Sequence, residues 1–325
     1  MKKHFLLYTT LVLAAFAAAS CKKDDDTVVS KPYLYGLDFD LATFARPGDS
    51  FSMEPYGVYT GDGKEIEEIT YKWKWKLNEN EYTEVDGESF TFTAQEVGNY
   101  TITCQASDPD DNYYAISTSK VIIVIDPSLG KTLNGTGIAA TDKHISDSRD
   151  KTGECEYFYT HIGDLDWFRN NLAYKGSGIA YDNSDVTSYP LGRYDTWEEA
   201  MTACPEGWRL PTDEEWALLG TDGAPLTCDA YLNSKRMWEY WPNVDRTNET
   251  GLAIIPAGYA LPATTSPTFK RLYDYAAFWT ATVSEDDPDM AAYRYIHVTE
   301  SEVRTTYAEK GSLALSVRCV RNHAD

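Results

Sequence analysis

The side chains that most often carry out catalysis are sparse in this chain and far apart in sequence. The histidines at His144, His161, His297 and His323 are scattered, so their spacing predicts no copper or zinc centre. The sequence contains neither a Gly-x-Ser-x-Gly elbow nor a glycine-rich phosphate loop. Acidic pairs such as Glu214–Glu215 are frequent, but in so acidic a chain they are expected on solvated helix faces. The sequence therefore predicts that the protein is not an enzyme and has no cofactor.

Two loop segments contain residues that could bind a ligand. The candidates for stacking on a sugar ring are Trp238, Tyr240 and Trp241. For each of these aromatic rings, packing in the core is favoured over sugar binding. The candidates for binding calcium are Asp286, Asp287 and Asp289. An ordinary surface turn is favoured over an ion site there, so no bound metal is predicted.

The N-terminus has the pattern of an export signal. Residues 1–20 begin with lysines, continue as an apolar run and end in small residues, which predicts a signal peptide. Cys21 follows directly and resembles the lipobox cysteine of bacterial lipoproteins, whose thiol is acylated; cleavage without lipidation is the alternative. Residues 21–31 then form a lipidated tether, and its Lys-Lys-Asp-Asp-Asp run resembles the surface-export signal of Bacteroidetes lipoproteins. An ordinary solvated tether is the competing interpretation.

Composition narrows the set of partners. The formal net charge is −22 over 325 residues, whereas nucleic-acid binding requires clustered lysine and arginine. We therefore expect no nucleic-acid partner, and contact with the membrane only through the lipid anchor. The expected location is the outer membrane, with the protein facing the cell exterior and a glycan or surface protein as its partner.

Residues 32–126 show the alternation that is typical of antiparallel strands. Between Ile69 and Leu77 apolar or aromatic residues alternate with polar ones, and the same alternation recurs from Tyr100 to Ala106. Several such strands resemble the immunoglobulin-like and PKD-like sandwiches of bacterial surface proteins. The usual partner cysteine is absent from the earlier strands, so Cys104 is predicted to be a small buried residue. A linker over residues 127–134 is predicted to follow.

Residues 135–325 are organised around Cys204–Trp216, which reads CPEGWRLPTDEEW. The segments Thr196–Glu199 and Thr212–Glu215 both have the spacing of a capping box, which predicts the start of a helix at each. Proline and glycine between them predict a stiff turn. The second helix is predicted to stop at Gly220.

Further blocks follow this predicted helix pair in a recognisable order. They are Asn248–Leu252, Ile255–Tyr259, Ala277–Ala281 and Ser316–Arg321. Together with CPEGWRLPT, they resemble the Fibrobacter succinogenes major paralogous domain over nearly the whole second half of the chain. This resemblance implies a C-type-lectin-like fold, related to that of formylglycine-generating enzymes. The predicted fold class is therefore an all-β immunoglobulin-like sandwich followed by an α+β C-type-lectin-like domain.

The same resemblance implies a covalent link. Lectin-like folds commonly tie the first helix to the last strand by a disulfide, and the matching positions here are Cys204 and Cys319. The exported compartment permits disulfides, so Cys155 and Cys228 could form a second bridge; the sequence does not decide whether they do. Formylglycine-generating enzymes use two cysteines near the C-terminus, and only Cys319 lies there.

Three functions remain as hypotheses. The leading one is a surface lipoprotein that displays a lectin-like module for adhesion or for glycan or protein binding. The alternative is a structural subunit of a surface assembly, such as a fimbrial or nutrient-uptake complex, and the third is a weak enzyme of the formylglycine-generating-enzyme-like fold. An exposed aromatic platform would favour the first and an unpaired strand edge the second. A polar pocket of converging titratable groups would favour the third.

Overall fold

The computed structural model describes residues 30–66, 68–126, 133–134, 143–150, 155–238, 244–263 and 265–324. The predicted signal peptide, Cys21 and nearly all of the tether and linker lie outside these residues. We call residues 30–126 the N-terminal region and the described residues from 133 to 324 the C-terminal region. In the described part of the chain, none of the helices has the length and apolarity needed to cross a membrane.

The N-terminal region is built on a five-stranded sheet. Its strands are β1 (Asp38–Phe39), β2 (Phe44–Ala45), β3 (Ser50–Met53), β4 (Pro55–Tyr56), β5 (Thr70–Leu77), β6 (Thr83–Asp86), β7 (Phe90–Thr93), β8 (Gly98–Ser107) and β9 (Ile116–Val124). The large sheet has the order β2-β9-β8-β5-β6, while β1 pairs with β4 and β3 pairs with β7. Only the β2–β9 pair is parallel within the large sheet.

The alternation of strands β5 and β8 creates the core of this region. The register pairs Trp73 with Cys104, and both side chains are buried on the same face. The Trp73 ring lies 5.1 Å from the Phe39 ring and 5.8 Å from the Phe90 ring. Cys104 is free and buried, which confirms the prediction for this residue. The two predicted strands are confirmed as well.

The described residues of the C-terminal region form several sheets and three short α-helices. Its strands are β10 (Leu133–Asn134), β11 (His144–Asp147), β12 (Cys155–Ile162), β13 (Leu165–Phe168), β14 (Ile179–Ala180), β15 (Arg193–Asp195), β16 (Tyr231–Leu232), β17 (Lys235–Arg236), β18 (Tyr259–Leu261), β19 (Thr268–Lys270), β20 (Tyr275–Val283), β21 (Met290–His297), β22 (Arg304–Glu309), β23 (Leu315–Ser316) and β24 (Val320–Asn322). The helices are α1 (Ser188–Leu191), α2 (Trp197–Ala203) and α3 (Asp213–Ala217), with 3-10 turns at Tyr181–Asn183 and Asp185–Thr187.

A six-stranded sheet, in the order β14-β15-β23-β20-β21-β22, forms the centre of the C-terminal region. The other sheets of this region are four-stranded β11-β12-β13-β24, three-stranded β10-β16-β17 and two-stranded β18-β19. Neighbouring residues of β20 point to opposite faces. Trp279 therefore packs in the same core as Ala200 of α2, while Phe278 stacks at 5.2 Å on Trp216 of α3. The two short helices thus cover opposite faces of this sheet.

Both predicted capping boxes are present. The Thr196 backbone N–H donates to Glu199 Oε2 at 2.8 Å. The Thr212 N–H donates to Glu215 Oε2 at 2.9 Å, and the Glu215 N–H donates to Thr212 Oγ1 at 3.2 Å. These reciprocal bonds satisfy backbone donors that lack a partner in the first turn of a helix.

The predicted disulfide between Cys204 and Cys319 is confirmed. Its Cα atoms lie 5.9 Å apart, and the bond joins the end of α2 to the residue before β24 over a sequence separation of 115. Cys155 and Cys228 are both free, so the second bridge does not form.

The predicted fold class is wrong. The structure is 44% strand and 8% helical, with many small sheets, and it lacks a clear α+β C-type-lectin-like second domain. The capping boxes predict where the helices begin but not how long they are. Helix α2 ends after seven residues, because Pro205 and Gly207 follow it, and α3 ends after five. In the N-terminal region, the strands outside the main sheet form two separate pairs instead of one continuous second sheet.

The two regions pack against each other. Phe44 and Ile125 of the N-terminal region share a buried cluster with Leu191 and Met237 of the C-terminal region. The Asn233 side-chain amide also donates to the Val124 carbonyl at 3.0 Å. The domain boundaries given above stay predictions, but residues on either side of the proposed linker are in direct contact.

Candidate binding site

The first sequence candidate for sugar stacking, Trp238, lies in the core. Its side chain is 1% exposed and packs with Trp216, Leu226 and Ile254. The guanidinium carbon of Arg246 lies 4.1 Å from the centre of its ring. Stacking on a sugar requires an exposed ring face, and Trp238 offers none. Tyr240 and Trp241 lie outside the described residues.

The calcium candidates Asp286, Asp287 and Asp289 lie in the exposed connection between β20 and β21. The Asp289 N–H donates to Asp287 Oδ1 at 3.0 Å, and the Asp286 N–H donates to Ser284 Oγ at 3.3 Å. These bonds are typical of a turn that side chains stabilise. Among the described residues, the aspartates do not belong to a group with metal-ligand spacing.

A different aromatic surface lies on one face of the six-stranded sheet. Tyr293 and Tyr295 are alternate residues of β21, and their register partners on β20 are Trp279 and Ala277. Alternate residues face the same side of a sheet, and the small Ala277 leaves space above it. Tyr275, two residues before Ala277, lies on that side as well. Its ring stacks on Tyr295 with a centroid distance of 5.3 Å.

Strand β18 adds the opposite wall of this surface. The Tyr259 ring lies 5.7 Å from the Tyr275 ring in an edge-to-face arrangement. Between the two walls is a cleft of about 230 Å³. It is lined by Tyr259, Leu261, Arg271, Tyr275, Tyr293, Leu313 and Leu315. We call it the tyrosine-lined cleft.

A strained backbone segment presents Arg271 to the cleft. Arg271 and Tyr273 have φ angles of 60° and 82°, in the left-handed region that few side-chain-bearing residues adopt. Gly258 has a φ of 75°, and a Cβ there would lie 2.2 Å from the Lys270 carbonyl oxygen. Only glycine fits at this position. Such strain persists where the surrounding structure imposes it, often in ligand sites.

The cationic side chain of the cleft is Arg271, which forms an ion pair with Asp274 Oδ2 at 3.4 Å. Its Nη1 donates to His297 Nε2 at 2.7 Å, because a guanidinium group has donors only. Its guanidinium carbon is 5.8 Å from the centre of the Tyr275 ring. Burial raises the pKa of Tyr275 and the pKa of Tyr293. The phenols therefore stay neutral at pH 7 and can donate and accept hydrogen bonds, but they cannot act as bases.

Sequence reasoning did not identify this site, although one of its residues, Tyr259, lay in a recognised block. Tyr259 ends the block Ile255–Tyr259, and Tyr293 and Tyr295 have the spacing of one strand face. The sequence did contain one indication of the site: Tyr293 and Tyr295 stand at alternate positions, and Tyr295 pairs with the small residue Ala277. What joins Tyr259 to them is the path of the loops, which spacing in the sequence does not reveal.

Two of the histidines that are scattered in the sequence lie together in the structure. The ligand atoms of His161, Asp166 and His323 all lie within 4.8 Å of one another. In the described part of the chain, these are the residues whose spacing could hold a metal ion.

Residues 160–321 match the family model of the Fibrobacter succinogenes major domain. No curated protein matches the chain. One solved structure, the three N-terminal domains of the bacteriophage RB49 Highly Immunogenic Outer Capsid protein, is similar over 87% of this chain and 69% of that chain, at 12% identity. The TM-score of that superposition is 0.21, too low to indicate a shared fold.

Proposed function

With residues 160–321 forming a Fibrobacter succinogenes major domain, we propose that the chain is a surface lipoprotein that binds a glycan. In this proposal Cys21 carries the lipid that anchors the protein in the outer membrane, and the protein faces the cell exterior. The tyrosine-lined cleft is the binding site. The observation that supports the proposal most directly is the convergence of four tyrosine rings and Arg271 at one half-open surface.

The residues of the cleft suit a sugar. A tyrosine offers an apolar ring for the C–H face of a pyranose and a hydroxyl group for hydrogen bonding. Leu261 and Leu313 add apolar walls. Arg271 provides charged donors, which bind hydroxyl groups and bind carboxylates more strongly. A glycan that includes an acidic sugar would use all three features.

Binding without catalysis is part of the same proposal. The side chains that line the cleft are tyrosines, leucines and one arginine. Hydrolysis of a glycosidic bond requires two carboxyl groups on either side of the bond, and the lining residues include none. Burial raises the pKa of Tyr275 and of Tyr293, so these two phenols do not replace the missing base.

The proposal is tested with the full chain on a glycan array, followed by titration of the strongest ligand. Tyr259→Ala and Arg271→Gln should each weaken binding by about tenfold, the effect of losing a central contact. The matched control is Tyr307→Ala. Tyr307 is 47% exposed on β22, and its register partner Ala292 is adjacent to Tyr293, so it faces the other side of the sheet.

Calcium provides a second control. Because the lining residues of the cleft contain no carboxylate, a chelator should leave binding unchanged.

Loss of binding with Tyr307→Ala but not with Tyr259→Ala would place the ligand on the other face. A silent array would disfavour glycan binding altogether.

A structural role in a surface assembly is the second candidate, and one observation favours it. Strand β22 is an outer strand of the six-stranded sheet and has no further strand beside it among the described residues. An open edge can pair with a strand of another protein. Sedimentation of the full chain with cross-linked outer-membrane partners would test this role. A complex that Thr306→Pro abolishes would support pairing at the β22 edge.

A further inference from the structure

Strand register brings two histidines to one buried aspartate in the four-stranded sheet. His161 of β12 is the register partner of Asp166 of β13, and Asp166 is in turn the partner of Arg321 of β24. His323 follows two residues after Arg321, so it lies on the same side of the strand. The His323 N–H continues the pairing by donating to the Asp164 carbonyl at 2.9 Å.

The carboxylate of Asp166 is divided between two kinds of partner. Its Oδ2 accepts a bond from Arg321 Nε at 2.9 Å. Its Oδ1 lies 2.7 Å from His323 Nδ1 and 3.5 Å from His161 Nδ1. The two imidazole rings are 3.7 Å apart between their centroids. The Asp166 side chain is 2% exposed, whereas each histidine side chain is 37% exposed, so the group is open to solvent on one side.

We propose that His161, Asp166 and His323 bind a divalent transition-metal ion, with zinc the best match. Zinc accepts imidazole nitrogen and carboxylate oxygen in tetrahedral sites, and three protein ligands leave a fourth position for water. Bonds of about 2.1 Å place tetrahedral ligand atoms roughly 3.4 Å apart. The observed spacings bracket that value, so a small adjustment of His323 completes the geometry. Calcium and magnesium do not fit, because they require six or more oxygen ligands or several waters.

Arg321 acts as a positioning residue in this site. Its guanidinium carbon lies 4.8 Å from the centre of the Tyr159 ring and 4.6 Å from that of Trp208. The arginine is therefore held away from the histidines while it binds Asp166 Oδ2. This contact orients the carboxylate so that Oδ1 faces both imidazoles, as outer partners do in metal sites. The positive charge of Arg321 also repels cations in general. The site should therefore hold only an ion that histidine binds strongly.

The ion would tie the end of the chain to the β12–β13 hairpin. Strand β24 begins one residue after Cys319, so metal and disulfide would hold the same strand at two points. The inference concerns the stability of this strand and does not depend on what the tyrosine-lined cleft binds.

The test uses the full chain, purified with an affinity tag that contains no histidine. Zinc sulfate is titrated by calorimetry, and the thermal unfolding midpoint is measured with and without zinc. We expect saturable uptake of one ion per chain and a higher midpoint, because an ion that binds only the folded state stabilises it. Cobalt should give the visible absorption of a tetrahedral site.

Variants locate the ion. His161→Gln and His323→Gln should each weaken zinc binding by at least about tenfold, and neither residue is needed for the core. His144→Gln is the matched control: His144 lies on β11 of the same sheet and should leave the affinity unchanged. Absence of saturable binding in the natural chain overturns the proposal. Equal binding by the His161→Gln/His323→Gln double variant overturns it as well.

Discussion

The N-terminal and C-terminal regions are held together in different ways. In the N-terminal region, β5, β8 and β9 pair directly with strands close in sequence, and their apolar faces form one core. In the C-terminal region, contacts that close the structure join residues more than 100 positions apart, such as Cys204 with Cys319. A continuous sheet can rely on alternation and burial. A region that combines several separate sheets with irregular segments requires specific links between them.

Arg318 is the clearest of these links. Its side chain is buried, and it donates to the carbonyls of Phe168 and Leu252 at 2.9 and 2.8 Å. It also donates to Asn171 Oδ1 at 2.7 Å and to the Ala253 carbonyl at 3.2 Å. Phe168 is the last residue of β13, whereas Asn171, Leu252 and Ala253 lie outside the strands, where buried carbonyls must find other donors. Burial lowers the pKa of Arg318, because the charged guanidinium group is shielded from water.

Of the changes considered, removing the disulfide should have the largest effect, and it should destabilise the C-terminal region more than the N-terminal region. The Cys204→Ala/Cys319→Ala variant loses a cross-link over 115 residues, and we expect unfolding to require about 4 kcal/mol less free energy. Hydrogen exchange read peptide by peptide should show faster exchange in the C-terminal region. Cys104→Ala, which removes a free buried thiol from the N-terminal region, is the control and should leave the C-terminal region unchanged. Equal acceleration of both regions by the double variant would mean that they unfold as one unit.

Replacing Arg318 should have the next largest effect. Arg318→Met keeps much of the side-chain volume but leaves several buried acceptors without a donor, which should lower the unfolding free energy by about 3 kcal/mol. Denaturant unfolding measures the change. Arg304→Met, at a half-exposed arginine on β22, should cost less than about 0.5 kcal/mol. Similar losses in the two variants would contradict a specific role for the buried arginine.

The last expected effect is a gradual loss of stability as the pH rises, which comes from one buried carboxyl group of the C-terminal region. Asp195 is buried and accepts a hydrogen bond from Ser177 Oγ. Burial raises the pKa of Asp195 to about 7 from an ordinary value of 3.8. The folded state therefore holds this proton more tightly than the unfolded state. The resulting stability is complete below about pH 4 and is lost as the pH rises to about 7.

Unfolding in denaturant between pH 4 and pH 8 tests this expectation. In the natural chain, Asp195 should make the free energy of unfolding fall by about 1 kcal/mol per pH unit over this range, and Asp195→Asn should remove that fall. The N-terminal region offers a neutral counterpart, since the Thr103 and Ser119 hydroxyls bond at 2.8 Å. Thr103→Val should not alter the slope. An unchanged slope in Asp195→Asn would show that other groups set the pH dependence.

The sequence by itself determined the local elements. Alternation predicted β5 and β8 because side chains two apart in a strand share a face. The capping boxes of α2 and α3 were predicted because their bonds join residues three apart. The pairing of Cys204 with Cys319 came from resemblance to a family and not from spacing. These predictions succeed because each depends on neighbours in sequence or on a motif already known.

Only the tertiary structure decided the lengths of the helices, the sheets they cover and the residues that meet in each site. Tyr259 reaches Tyr275 through the path of β18, and His323 reaches His161 through the register of β24. Trp238 lies in the core, and the tertiary structure decided between the two interpretations that the sequence allowed for it. The physical reason is that the entropy of closing a loop grows only slowly with its length. Separation along the chain therefore says little about which side chains will meet.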